Sequence, residues 1–264
     1  MKIGIVIPLK AKIISKNWDQ VCDSLQQTVG SVLGQQCQDF RVVVVGHNCP
    51  DFLEEVAHNG ECIFVDFDEL EPPKRTTDEP SNQLKYETDR CSKILKGIIA
   101  LKHKDEHITH WFALDADDLV HDLFVSTLTQ LPEYDGFLIK SGYFYFHQHG
   151  IFNKTKEFHM YCGSSAIISD KFFKLPKKIN EKSFREIPFG NVSHGDMDKY
   201  FESMNISYNS PSAPLMMYVR GHGDNISDEY INSWLIRIKQ KIGMLVRMRI
   251  LSAKTKKAFG LTIR

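Results

Sequence analysis

The chain has 264 residues, 42% hydrophobic and 25% charged, enough to bury a substantial core without disulfides or structural metals. Basic and acidic residues number 33 each, which excludes wholesale disorder and the basic excess of a general nucleic-acid binder. The balance hides an asymmetry, because residues 231–264 carry nine Lys or Arg and no acid, leaving 24 basic against 33 acidic residues over 1–230.

Apolar runs of strand length alternate with stretches of helical period, which predicts a βαβ layout around a mostly parallel sheet. A first buried strand covers 3–7 and stops at Pro8; its apolar run is too short for a signal peptide. Val21, Leu25, Val29, Val32 and Leu33 then recur at helical spacing and lay one apolar stripe against the sheet. Residues 41–45, β-branched and apolar on both faces, suit a central parallel strand. Residues 62–65 read as a third strand, followed by a charged loop through Pro72, Pro73 and Pro80. Cys91, Ile94, Leu95, Ile98 and Ile99 support a helix over 89–101.

A fourth strand, 110–114, runs straight into Asp115, Ala116, Asp117 and Asp118. Ligands of open α/β sheets gather beyond the carboxyl ends of strands, so these acids stand where a site is expected. Three aspartates in four residues repel one another unless something offsets their charge, and a hard divalent cation with oxygen ligands does so. The competing reading is a solvated turn in which Asp117 or Asp118 caps a helix over 119–128. Beyond Pro132, short strands at 137–139, 143–146 and 165–169, with a hairpin tip at 147–149, predict a mixed, antiparallel half. An amphipathic helix over 197–204 and a strand over 215–219 complete it. Six scattered cysteines without a C-x-x-C pair suit reduced thiols rather than a disulfide frame or a zinc site.

Ile5-Val6-Ile7-Pro8, the segments 25–35 and 40–45, and Leu114-Asp115-Ala116-Asp117-Asp118 follow one another in an order and spacing that resemble family 2 glycosyltransferases of the GT-A fold, of bacterial surface-polysaccharide type. Gly163-Ser164-Ser165-Ala166, Gly195-Asp196 and the stretch 218–227 extend the resemblance to about residue 230. It implies a single Rossmann-like α/β domain with a nucleotide-sugar-binding half over 1–120 and an acceptor-binding, catalytic half over 121–230. It also implies transfer, with inversion, of a sugar from a nucleotide-diphosphate donor, UDP-linked by expectation, to a hydroxyl of a glycan or lipid-linked glycan. Pro8, Asp89, Lys93, Asp115, Ala116 and Asp117 would contact the donor. Asp117 and His222 would hold Mn²⁺ or Mg²⁺, Asp196 would be the general base, and Gly163, Ser164 and Ser165 would face the acceptor. One departure stands out: after the second strand the family's acidic segment is replaced by Gly46-His47-Asn48-Cys49, with only Asp51 retained. The alternatives are a non-catalytic scaffold of the same fold and a sugar nucleotidyltransferase.

The tail joins Trp234, Leu235, Ile238, Ile242, Leu245, Val246 and Ile250 to its nine cations. That spacing predicts a basic amphipathic helix over 231–264, suited to an anionic membrane surface and hence to a cytoplasmic, peripherally attached protein. No window approaches the ~20 apolar residues of a membrane span.

Overall fold

The computed structural model describes residues 1–58, 60, 62–74, 79–147, 150–221 and 249–261. The chain first lays down β1 (Ile3–Pro8), α1 (Trp18–Leu33), β2 (Phe40–Gly46), α2 (Asp51–His58), β3 (Ile63–Asp66), α3 (Glu79–Lys104) and β4 (His110–Ala113). Then come β5 (Leu119–Val120), α4 (Phe124–Thr129), β6 (Gly136–Leu138), β7 (Gly142–Phe146), β8 (Ile151–Thr155) and β9 (Ala166–Ser169). Two helices, α5 (Pro188–Asn191) and α6 (Met197–Ser203), precede β10 (Tyr208–Asn209), β11 (Met216–Arg220), β12 (Arg249–Ile250) and α7 (Ala253–Ala258).

Seven strands form the main sheet in the order β10-β6-β9-β4-β1-β2-β3. β1 lies parallel to both β2 and β4, and β3 parallel to β2. β9 inserts antiparallel between β4 and β6. The Rossmann-like, mostly parallel layout expected from the sequence is thus the one that folds. Side chains alternate across a strand, and the apolar runs sort accordingly. Ile5, Ile7, Val42 and Val44 meet Leu25, Val29 and Val32 of α1 on one face. Val6, Val43 and Val45 meet Ile94, Leu95 and Ile98 of α3 on the other. Close approach of α3 depends on Gly97, where a Cβ would stand 2.3 Å from Val6 Cγ1 and 3.0 Å from Val45 Cγ2.

The second sheet, β12-β8-β7-β11-β5, branches off immediately after the acidic turn. Its β7–β8 pair is antiparallel and its β7–β11 pair parallel, the mixed half that the sequence predicts. At 148–149 the expected hairpin tip lies outside the described residues.

Three expectations change. The long helix starts at Glu79, ten residues earlier than its apolar period suggests, with Pro80 in its first turn. Proline lacks only a donor that has no partner there anyway, so it opens this helix instead of marking a loop. In place of a helix over 119–128, Leu119–Val120 pairs with β11, and α4 begins only at Phe124 with no side-chain cap. Neither Asp117 nor Asp118 is therefore a helix cap. The basic helix expected over 231–264 fails over its last third, where β12 pairs with β8 and Ser252 Oγ caps α7 by accepting from Thr255 N at 3.1 Å. Leu251 and Phe259 are buried there, with Phe259 edge-on to both His121 and Tyr143. Residues 231–248 lie outside the described residues, as does His222. No described helix is long and apolar enough to cross a membrane.

Two glycine substitutions separate contact from helix propensity. Gly97→Ala should destabilise the fold by about 1–3 kcal/mol through overpacking. Gly30→Ala, in α1 with nothing within 4 Å of the added carbon, should stabilise by roughly 0.5–1 kcal/mol. Urea titration of both variants checks the pair.

Candidate active site

A cleft of about 640 Å³ opens at the carboxyl ends of β1 and β4, where Pro8 and Asp115–Asp117 form its floor. One wall is the face of α3 that bears Gln83, Glu87 and Arg90; the other is built by Tyr161, Gly163 and the segment 189–197.

The acidic turn is braced by three buried polar residues, Thr28 and Ser31 of α1 and Gln35 just beyond its end. Thr28 Oγ1 donates to Ala116 O at 3.0 Å, and Val120 N donates to Ser31 Oγ at 3.2 Å. Gln35 Nε2 donates to His121 O at 2.8 Å, while its Oε1 accepts from Val125 N at 2.9 Å. A turn between two buried strands needs such partners for its backbone, and these three side chains supply them.

The three aspartates take different roles. Asp118 is fully buried, with Oδ2 accepting from the Cys162 thiol at 3.1 Å and Oδ1 without a partner among the described residues. Burial, and then the charges of Asp117 and Asp115, push its carboxyl well above the ordinary range against hydrogen bonds from Cys162 and Ser164, which favours the protonated form. Asp115 is gripped by Arg90, whose Nε and Nη2 both stand 2.7 Å from Oδ1. Burial alone would lower the Arg90 guanidinium, but Asp115 outweighs it and holds the charge. Backbone N of Asp115 donates to Ser164 Oγ at 2.8 Å. At Gly163 a Cβ would sit 2.9 Å from Arg90 Nη2 and 3.1 Å from Asp115 Oδ2, so glycine leaves the room this pair occupies. Ala116 and Asp117 also line the cleft.

Of the expected acceptor-side residues, only Gly163 lines the cleft; Ser164 and Ser165 are buried under it. Asp89 and Lys93 line it as well, but the Lys93 ammonium is fully buried and already engaged. It donates to Leu9 O at 2.8 Å and to Asp89 Oδ2 at 2.6 Å, tying α3 to the chain that leaves β1. Burial lowers the Lys93 pKa and Asp89 opposes the shift. A buried cation in that position is held by the nearest carboxylate. His47 completes the cluster, with Nδ1 4.0 Å from Asp89 Oδ1, Nε2 3.0 Å from Leu70 O, and its ring edge-on to Phe67. Asp196 is exposed, paired with Lys199 Nζ at 2.7 Å, and does not line the cleft.

Sequence reasoning missed Arg90 and His194, which both line the cleft. Gln83, Glu87 and Arg90 continue toward the amino terminus the helical face that Ile94 and Ile98 occupy in α3, a signal hidden while 79–88 read as loop. His194 stands two residues before Asp196. Although the residue is exposed at the rim, desolvation of its ring lowers the pKa, Arg90 adds to the effect, and Asp115 opposes it.

Among the described residues no group of three His, Cys, Asp or Glu side chains gathers as a ready metal cage. The site nevertheless suits a hard cation of the magnesium kind, which takes one or two carboxylates and draws its other oxygens from phosphate and water. Four acids line the cleft, Glu87, Asp89, Asp115 and Asp117, and the charges of Asp117 and Asp115 add to burial in raising the Asp118 carboxyl beneath them.

No protein-family model matches this sequence, and no curated protein matches it at a significant level. Among solved structures it is similar to residues 1–349 of TarS from S. aureus, 12% identical with TM-score 0.42 over 83% of this chain and 60% of that one. It is similar to the inositol-1-phosphate CTP transferase from T. maritima, 14% identical with TM-score 0.42 over 92% and 96% of the two chains. The third likeness is to the glycosyltransferase GlyE of Streptococcus pneumoniae TIGR4, 10% identical with TM-score 0.38 over 96% and 66%. The chain therefore spans less than two thirds of TarS 1–349 and of GlyE. With every TM-score here below 0.5, the fold class stands on the strand order and register given above.

The neutral Asp118 makes stability depend on pH with a definite sign. Its folded state holds a proton that the unfolded chain releases, so stability falls as the pH climbs from the ordinary carboxylate value of about 4 toward the raised one. Asp118→Asn keeps the shape without the proton and should flatten that fall. Urea midpoints for both proteins between about pH 4 and 8 check it, and parallel curves would contradict the neutral acid.

Proposed function

We propose that this protein transfers a glycosyl group, with inversion, from a nucleotide-diphosphate sugar to a hydroxyl of a glycan or lipid-linked glycan. The observation that carries the reading is the braced acidic turn beyond β4, whose Asp115 and Asp117 open onto a cleft large enough for a nucleotide. A rigid pair of acids at a strand end is what a donor with a charged diphosphate requires through a cation. Asp117, with His222, would hold Mn²⁺ or Mg²⁺. When bound, the ion offsets the charge that grows on the departing diphosphate. Asp115, oriented by Arg90, would meet the ribose of a UDP donor, and Pro8 and Ala116 would pack on the nucleotide. Lys93 acts at one remove by fixing Leu9 in the cleft floor.

Titration calorimetry with UDP, GDP, CMP and TDP, with and without Mn²⁺, tests the reading. One nucleotide should bind more tightly with metal, and Asp117→Ala should remove about tenfold or more of that gain, roughly 1.4 kcal/mol, without lowering the melting temperature. Failure of every nucleotide to bind would favour a non-catalytic scaffold.

The sequence over 231–248, with Arg237, Lys239 and Lys241 beside Trp234, Leu235 and Ile238, supports a second part of the proposal, attachment to an anionic surface on the cytoplasmic side of a membrane. Deleting the whole tail would also remove β12 and the buried Phe259, so charge reversal is the cleaner test. Each cation near such a surface contributes about 1 kcal/mol. Reversing Arg237, Lys239 and Lys241 to Glu should therefore cut partition onto phosphatidylserine vesicles by about a hundredfold or more; unchanged sedimentation would refute attachment.

A further inference from the structure

We infer that His194, and not Asp196, is the base that removes the proton from the acceptor hydroxyl. The inference rests on the glycosyl-transfer reading above and names the residue that completes its chemistry.

Both residues belong to the same short 3-10 turn, His194–Asp196. In such a turn successive side chains are separated by about 120°, so residues two apart cannot share one direction. His194 lines the cleft with Ser193 and Met197, whereas Asp196 is absent from that wall and spends its carboxylate on Lys199 at 2.7 Å. A base must stand within hydrogen-bond reach of the proton it takes, and geometry precedes acidity in choosing it. The His194 ring stands close enough to the backbone of Met160, on the neighbouring turn Phe158–Met160, for that group to raise its pKa. A carbonyl accepts the proton of one ring nitrogen, which leaves the other with its lone pair free to accept.

The groups that act on the ring come from every side of it. Arg90 and Glu87 face it from α3, Asp115 from the acidic turn, and His159 from the turn that carries Met160. Desolvation and Arg90 lower its pKa, Asp115, Met160 and Glu87 raise it, and the net shift is downward. The imidazole is therefore neutral at neutral pH, the form a base needs.

The step balances without a further reactant. An acceptor oxygen forms its bond to the anomeric carbon while its proton passes to the free nitrogen of His194. The bond from that carbon to the diphosphate oxygen breaks, and its electron pair leaves with the nucleoside diphosphate. The imidazolium then returns its proton to solvent. Water is an acceptor of the same kind, so slow donor hydrolysis reports the step before any glycan acceptor is known.

The full chain with Mn²⁺ is assayed for nucleoside diphosphate release from UDP-glucose, UDP-N-acetylglucosamine and GDP-mannose. His194→Gln keeps a side-chain amide for the Met160 carbonyl but cannot take a proton. It should lower kcat by about a hundredfold or more while nucleotide affinity stays within about twofold. The wild-type kcat should fall on the acid side as His194 protonates, below the ordinary histidine value of about 6.5, and the variant should lose that limb. Added imidazole should restore turnover to His194→Ala, a rescue that a structural role would not give. Normal kcat in His194→Gln, or loss of turnover in Asp196→Asn alone, overturns the assignment. Wild-type protein that neither binds a nucleotide nor releases one from any donor fails earlier, at the transfer reading itself, and takes this inference with it.

Discussion

Three aspartates packed into four residues at the end of a buried strand cannot all keep their charge, and the way they divide it governs the rest of the cleft. Asp118 goes inward, takes a proton and rests on the Cys162 thiol. Asp115 keeps a charge because Arg90, from a helix 25 residues earlier in the chain, is there to meet it. Asp117 remains at the cleft. Any one of these assignments forces the others, since two buried anions side by side would cost several kcal/mol. The apparently redundant acidic motif is thus one internal acid beneath two that line the cleft.

The turn can hold this arrangement because its backbone is pinned from outside. Thr28 and Ser31 of α1, and Gln35 just beyond it, reach across to groups between Ala116 and Val125. On the opposite face of the sheet Lys93 performs the same service for Leu9, drawing Asp89 and His47 into one polar cluster. β1 is therefore flanked at its carboxyl end by two sets of buried hydrogen bonds, one per face. The first set is satisfied at every named side chain, while in the second His47 Nδ1 and Asp89 Oδ1 stand 4.0 Å apart without a hydrogen bond. The segment 46–49, where the chain departs from the glycosyltransferase pattern, supplies His47 to that second set.

Much of this was legible in the sequence. Continuous apolar runs at 3–7 and 41–45 located the central strands, and the acidic run at 115–118 located the cleft, because both depend on neighbours a few residues apart. Contacts between distant segments were not legible. Arg90 and His194 gain their meaning only when α3 and the turn at 194–196 close on the acids, and the helical spacing of Arg90 with Gln83 and Glu87 is visible only once 79–88 is known to be helix. Proline misled in one place: Pro80 looked like a break and is a helix opening. Composition misled in another, since 249–261 is basic enough for a surface helix but carries Leu251 and Phe259, which the second sheet buries. The burial of Ser164 and Ser165 was equally hidden, because a glycine-serine segment reads the same whether it faces a ligand or supports the residues that do.

The return of the chain at β12 changes what the basic stretch before it can do. β11, which carries Tyr218 into the cleft wall, and β12 lie in one sheet, so residues 222–248 leave and re-enter the same rigid platform. A stretch anchored at both ends has a bounded reach, unlike a free terminus that could drift to the far side of the molecule. On the reading proposed above, a surface held by this stretch would be held by a loop whose two ends are fixed in the second sheet, the sheet whose β11 brings Tyr218 to the cleft.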